Sequence, residues 1–137
     1  MLNLNNPIKC VKIVNEMKKL KLHKGITLSG GEPFLQAKGL SIIAQEAQTN
    51  NLDVWCYTGF LFEELMSESN PNYMDNMKLL KYIDVLVDGK FIYNKKKIGL
   101  KFRGSYNQRI IDVKESLQRN EVILKNEYME KRLELVK

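Results

Sequence analysis

A chain of 137 residues, 44% hydrophobic and 28% charged, is globular in composition and long enough to bury a core, which excludes the disordered and fibrous classes. Its apolar runs fall far short of the roughly 20 residues that cross a bilayer, and MLNLNNPIK lacks the basic-then-apolar pattern of a signal peptide. The formal charge of +6 invites a nucleic-acid partner. However, neither Lys18-Lys19-Lys21 nor Lys95-Lys96-Lys97 is interleaved with stacking aromatics, so the basic balance reads as a solvated surface with some attraction for anions, with no nucleic acid and no membrane as partner.

In chain order, Asn6-Pro7 opens a helix, with Asn as cap and Pro at the first helical position. Cys10, Ile13, Val14, Met17 and Leu20 continue it at helical spacing. Gly25 ends that segment and Ile26–Ser29 is a strand. A second helix is predicted from about Ala37 to Thr49, burying Leu40, Ile43, Ala44 and Ala47 and stopped by Asn50-Asn51. DVWCYTG is the next strand, ending on Gly59. A polar loop around Ser67–Asn72 leads into a helix with Met74, Met77 and Leu80 turned inward, and IDVLVDG, Ile83 to Gly89, is a third strand. Strand–helix alternation at crossover length implies right-handed connections and parallel strands. Beyond Gly89, Ile98, Leu100 and Phe102 alternate with Gly99, Lys101 and Arg103 as an edge strand or hairpin arm would. RIIDV and EVIL read as two more short strands, and Asn126 to Val136 as a helix with Tyr128, Leu133 and Val136 inward. Cys10 and Cys56 fall in different elements and read as core residues, which argues against a disulfide framework and for a reducing, cytoplasmic home. The lone His23, in the helix-to-strand connection, reads as a surface or capping residue.

Parallel strands joined by helices bring their C-terminal ends to one edge, where α/β proteins bind ligands. Here those ends read SGGEP, YTG and VDG. Glycine lets another backbone or a ligand come close. In SGGEP, main-chain carbonyls and the Glu32 carboxylate are acceptors, so the turn suits an ammonium group. It is a poor phosphate cradle, because Glu32 stands where a P-loop has lysine. The plainer alternative is a tight strand-to-helix turn with an acid near a helix N-terminus.

The stretches GITLSGGEPF, DVWCYTGF followed by EEL, LLKYIDVLVDGKF and FRGSYNQRIIDV resemble the radical S-adenosylmethionine (SAM) superfamily. Within it they are similar to the anaerobic ribonucleoside-triphosphate reductase-activating proteins, relatives of the pyruvate formate-lyase-activating enzymes. The similarity runs from about Lys9 to Leu124. It implies an α/β fold, a partial (β/α) barrel of mostly parallel strands with helices outside. It also implies an oxidoreductase activity in which a [4Fe–4S] cluster cleaves SAM to a 5′-deoxyadenosyl radical that forms a glycyl radical on the partner reductase, with flavodoxin or ferredoxin as reductant. Gly30, Gly31 and Glu32 are then the residues that hold the SAM ammonium, and Thr58 and Gly59 line its pocket. Asp88 and Lys90 lie near where the glycyl segment arrives. Arg103, Ser105, Asn107 and Gln108 belong to the RGSxNQ signature, for which SAM contact and partner docking are both open.

The family's cluster cysteines form a CxxxCxxC loop that this sequence does not contain. Cluster iron is held by thiolates, and two cysteines in separate elements do not reproduce three on one loop. The expectation is a single truncated domain, residues 1–137, that begins partway into the family's fold and is inactive alone. Such a chain would be either a catalytically incomplete activating enzyme or a non-catalytic module docking on the reductase or on a full-length activase. An uncovered edge on the ITLS strand is expected to favour a homodimer.

Overall fold

The computed structural model describes residues 25–97 and 99–129. A four-stranded sheet organises them, in the order β1 (Gly25–Leu28), β2 (Asp53–Tyr57), β3 (Val85–Asp88), β4 (Arg109–Asp112). The first three strands are parallel, with Leu28 opposite Cys56 and Cys56 opposite Leu86. β4 turns back antiparallel to β3, so that Asp88 faces Arg109 across the ladder. The architecture is therefore mixed α/β. The crossover from β1 to β2 is α1 (Ala37–Thr49), and that from β2 to β3 contains α2 (Phe62–Leu65) and α3 (Tyr73–Leu80); α4 (Val113–Arg119) follows β4 directly.

Periodicity explains why these segments fold as they do. Leu40, Ile43, Ala44 and Ala47 recur on one face of α1 and are all buried, and the small Ala44 and Ala47 let the helix lie close to its neighbours. Asn50 closes α1, its backbone N–H reaching the Glu46 and Ala47 carbonyls, and Asn51 takes the left-handed conformation (φ 60°) expected just past a helix end. One face of the sheet, through Leu28, Val54, Cys56, Leu86 and Ile111, meets Leu40, Ile43, Leu65, Leu79 and Leu80 from the helices. A fully buried side chain of this size contributes about 1.5–3 kcal/mol relative to exposure. The other face carries Val85, Val87 and Ile110, with Trp55, Tyr57, Tyr128 and Met129 packed on them. Among the described residues, helices therefore pack on one face, while on the other the β2 residues Trp55 and Tyr57 are joined by Tyr128 and Met129 from the segment after α4.

Several expectations are corrected. Residues 99–108 form no strand; Phe102 sits at φ 69° and its ring packs on Trp55 and Tyr128, so the apolar alternation there belongs to a loop seated on the sheet. EVIL supplies only a single bridge, Leu124 to Ile111. Met74 is 70% exposed, and the inward face of α3 is Asn76, Leu79 and Leu80, with Met77 half-buried. Asn126–Tyr128 is one turn of 3-10 helix and Met129 after it is extended, so the expected helix does not continue there; residues 130–136 lie outside the described residues. So do the expected first helix, Cys10 and His23. Among the described residues no helix is long and apolar enough to cross a membrane, and β1 has a strand neighbour on one side only.

Candidate functional site

The C-terminal ends of β1, β2 and β3 and the N-terminal end of β4 meet at one edge of the sheet. Gly30 takes φ +89°, a conformation other residues resist, and this turns the chain out of β1; a side chain there would meet open space, so glycine is demanded by the backbone and not by crowding. Gly30 and Gly31 are both exposed. Glu32 caps the short 3-10 turn Pro33–Leu35, its Oε2 accepting the Phe34 N–H at 2.9 Å. The same carboxylate reaches across to the end of β2, where Oε2 accepts the Thr58 hydroxyl at 2.7 Å and Oε1 accepts the Gly59 N–H at 2.8 Å. Glu32 thus joins two of the three strand ends. A carboxylate offers about four lone-pair directions, and the hydrogen bonds just given leave Oε1 with acceptor capacity.

The next join is between β2 and β3. Thr58 N–H donates to the Val87 carbonyl at 3.0 Å, and Gly89 N–H donates to the Phe60 carbonyl at 3.0 Å. Asp88 is fully buried. Its Oδ2 accepts the Phe62 N–H at 2.7 Å, and Arg109 grips both oxygens, Nε to Oδ1 at 3.0 Å and Nη2 to Oδ2 at 2.6 Å. Arg109 continues outward to Glu63 at 2.7 and 3.2 Å. Its two carboxylate partners raise the guanidinium's pKa above the ordinary arginine value, and the hydrogen bond from Arg109 lowers that of Glu63. Neither Arg109 nor Glu63 was singled out from the sequence. The signal was an aspartate closing an all-apolar strand, which demands a cation close by.

The signature segment closes the edge. Gln108 acts as a substitute peptide group: Oε1 accepts the N–H of Gly104 at 2.8 Å and of Ser105 at 3.1 Å, while Nε2 donates to the Gly89 carbonyl at 2.9 Å. Ser105 is fully buried and its Oγ accepts the Ile92 N–H at 3.1 Å. Arg103 Nη1 donates to the carbonyls of Tyr106 and Gln108 at 3.0 and 2.8 Å. Asn107 Nδ2 donates to the Lys90 carbonyl at 2.9 Å. Its Oδ1 is buried and lacks a hydrogen-bond partner, alone in this among side-chain atoms of the described residues. A Cβ at Gly104 would lie 2.9 Å from the ring of the half-exposed Phe91, so that side chain would have to shift to admit one.

Glu32, Thr58, Gly59, Asp88, Ser105, Asn107 and Gln108 are therefore laced together, and Gly30, Gly31 and Lys90 stand exposed at the same edge. A separate cavity of about 320 Å³ lies on the aromatic face beside β1, lined by Gly25, Ile26, Thr27, Asp53, Trp55, Tyr57 and Phe102; the glycine corner is not part of its wall.

Two cofactors can be tested against these residues. An ammonium-bearing ligand fits: the edge offers a carboxylate with spare capacity, the open glycine turn and, on the signature side, the orphaned Asn107 oxygen. An iron–sulfur cluster does not fit. The sequence has two cysteines, and the described one, Cys56, is fully buried in the core. Burial, and secondarily the Glu32 charge, raise its thiol pKa well above the usual range, the reverse of what a thiolate ligand needs. Among the described residues there is also no group of three or more His, Cys, Asp or Glu placed to hold a metal. In a Cys10→Ser variant, Cys56 is expected to stay unlabelled by a disulfide reagent in buffer at pH 8 and to react stoichiometrically in denaturant; rapid native labelling would contradict the burial.

A family model described as a 4Fe-4S single cluster domain matches residues 6–111. The chain is 38% identical over 105 residues to the anaerobic ribonucleoside-triphosphate reductase-activating protein of Vibrio cholerae, covering 72% of this chain and 63% of the relative. The same-named protein of Haemophilus influenzae is 36% identical over 104 residues, with 72% and 63% covered. That of Enterobacteria phage T4 is 32% identical over 109 residues, with 71% and 62% covered. The chain thus spans less than two thirds of the length of these curated relatives. No solved structure matches it significantly.

Proposed function

The chain belongs to the 4Fe-4S single cluster domain family, and from that premise we propose that it is the SAM-binding and docking core of an activating protein for an anaerobic ribonucleoside-triphosphate reductase. The sheet is read as part of a (β/α) barrel of the radical SAM type, and residues 1–137 as one domain of it. Bound there, SAM would supply the hydrogen-abstracting chemistry of such a protein, given an electron donor outside these residues. The part these residues play is to bind and orient it. Gly30, Gly31 and Glu32 receive its ammonium, and Thr58 and Gly59 hold the Glu32 carboxylate at the mouth of the site. Asn107, whose Oδ1 is buried without a partner, is the acceptor that the signature segment holds in reserve. Asp88, with both oxygens engaged, acts behind the edge as a positioning residue, and Arg103 and Ser105 fix the signature loop.

The observation that carries this reading is the Glu32 carboxylate, held in common by two strand ends at 2.7 and 2.8 Å. Preorganised acceptors of this kind favour a cation that arrives already shaped for them. Calorimetric titration with SAM is the test. A dissociation constant below about 1 mM, or roughly −4 kcal/mol, is expected, with S-adenosylhomocysteine competing. No heat up to that concentration removes the cofactor from the proposal.

A second reading, a docking module without chemistry of its own, is favoured by the two-cysteine count. Reductive cleavage of SAM needs a cluster that these residues do not fit, with a flavodoxin or ferredoxin as electron donor. The reading extends to a cytoplasmic home, supported by the free thiol of Cys56, and to a homodimer through the β1 edge, supported by its single strand neighbour among the described residues. Light scattering decides the last point: a monomer at all concentrations would remove it.

A further inference from the structure

Between Gly89 and Gln108 the sequence carries Lys90, Lys95, Lys96, Lys97, Lys101 and Arg103, and no aspartate or glutamate. The remaining 16 basic residues are matched by the 16 acidic ones, so the whole formal charge of +6 resides in this one excursion from β3 to β4. Lys90, Lys95, Lys96 and Lys97 are exposed. Beside them stand large apolar surfaces, Phe91 53% exposed and Tyr93 74% exposed. Exposed apolar side chains flanked by charged ones mark an interaction surface more than a solvated face.

The excursion is also held to the edge already described. Gln108 ties it to Gly89 and Asn107 ties it to Lys90. Tyr106 N–H donates to the Lys95 carbonyl at 2.9 Å, and Ser105 anchors Ile92. Whatever rests on the lysines is therefore tethered to the end of β3, at the edge where the strand ends meet.

The aromatic geometry discriminates between kinds of acidic partner. Lys95 and Lys97 stand 5.9 and 5.3 Å from the centre of the Tyr106 ring, and Lys96 stands 5.8 Å from that of Tyr93. Rings faced by the chain's own ammonium groups are poor platforms for nucleobases, which need an open aromatic face. Ammonium groups held over rings remain available at their outer side to carboxylates.

We propose that residues 90–97 and 99–106 form the docking platform for an acidic face of the reductase, steering it so that its target segment reaches the strand ends. This inference rests on the functional reading above and names the surface that reading requires.

The test is binding of the full chain to the purified reductase by biolayer interferometry across ionic strength. Charge reversal at Lys95, Lys96 and Lys97 together, each to Glu, is compared with reversal at Lys38, Lys78 and Lys81, which lie on α1, on α3 and just past α3. Circular dichroism verifies the fold of each. The first variant is expected to bind at least about tenfold more weakly at low salt, the gap narrowing as salt screens the surface. The second should bind within about twofold of the parent. Neutral substitution of the same three lysines by Gln should fall between. Equal binding by both reversals, or oligothymidylate binding tighter than the reductase, would overturn the platform while leaving the function standing. A parent chain that fails to bind the reductase at all would overturn both.

Discussion

Replacing Arg109 by Met is expected to destabilise the fold by about 3–5 kcal/mol, because it strands a carboxylate that the protein has sealed from water. Asp88 is completely buried, while the Arg109 side chain is 28% exposed. The two partners are therefore not equivalent. Arginine released by loss of Asp88 can turn toward water and Glu63, but Asp88 released by loss of Arg109 keeps only the Phe62 N–H. For a chain of this length the deficit should appear as a drop of melting temperature on the order of 10–20 °C. The single change Asp88→Asn should cost less, since the amide oxygen still accepts from Phe62. The double variant Asp88→Asn with Arg109→Met should recover part of the loss, giving a coupling of about 1–3 kcal/mol in a double-mutant cycle. A melting temperature for Arg109→Met within 2 °C of the parent, by a margin of roughly a fifth of the smallest shift expected, would show that the pair is not what holds β3, β4 and the start of α2 together.

Glu32→Gln is the second change with a large expected effect, and it acts on ligand and fold together. Three donors converge on the carboxylate: Phe34 N–H, the Thr58 hydroxyl and Gly59 N–H. Glutamine has one acceptor oxygen, so its NH₂ must confront one of those donors. Leaving a part-buried donor unanswered costs about 1–3 kcal/mol. Removal of the negative charge should also weaken SAM binding by about tenfold or more, the order of a lost charge-assisted hydrogen bond. Thr58→Val separates the two effects, because it deletes one of the bonds that hold the carboxylate and keeps the charge: a stability loss is expected with a smaller loss of SAM affinity than Glu32→Gln gives. If Glu32→Gln melts like the parent and binds SAM as well, the glycine corner is only a turn.

Much of this could be read from the residues because it is local. The α1 face Leu40, Ile43, Ala44, Ala47 follows from helical spacing alone, and the three strands follow from apolar runs broken at Gly30, Gly59 and Gly89. That these breaks share one edge follows from parallel topology. What escaped is non-local. The Asp88–Arg109 pair depends on β4 running antiparallel to β3, which puts residue 88 opposite 109; RIIDV read by itself has no direction. The alternation at 98–102 resembled a strand because a loop seated on an aromatic face also needs some apolar residues, and Phe102 satisfies that need from a left-handed conformation no strand would use. Met74 shows the limit of periodicity in a short helix, where Asn76 took the inward place through its hydrogen bond to the Leu65 carbonyl at 3.3 Å. The resemblance named the signature residues but not their work: Gln108 bridges three backbone groups, and nothing in the letters RGSYNQ says so.

The sole tryptophan of the chain, Trp55, lies in ring contact with Phe102 and Tyr128, each 5.3 Å away between centres. The indole therefore touches the signature excursion on one side and the segment after β4 and α4 on the other. Its emission is a built-in optical gauge of both. A red shift that precedes loss of helical ellipticity on warming would time the lifting of these segments off the sheet, with no label introduced.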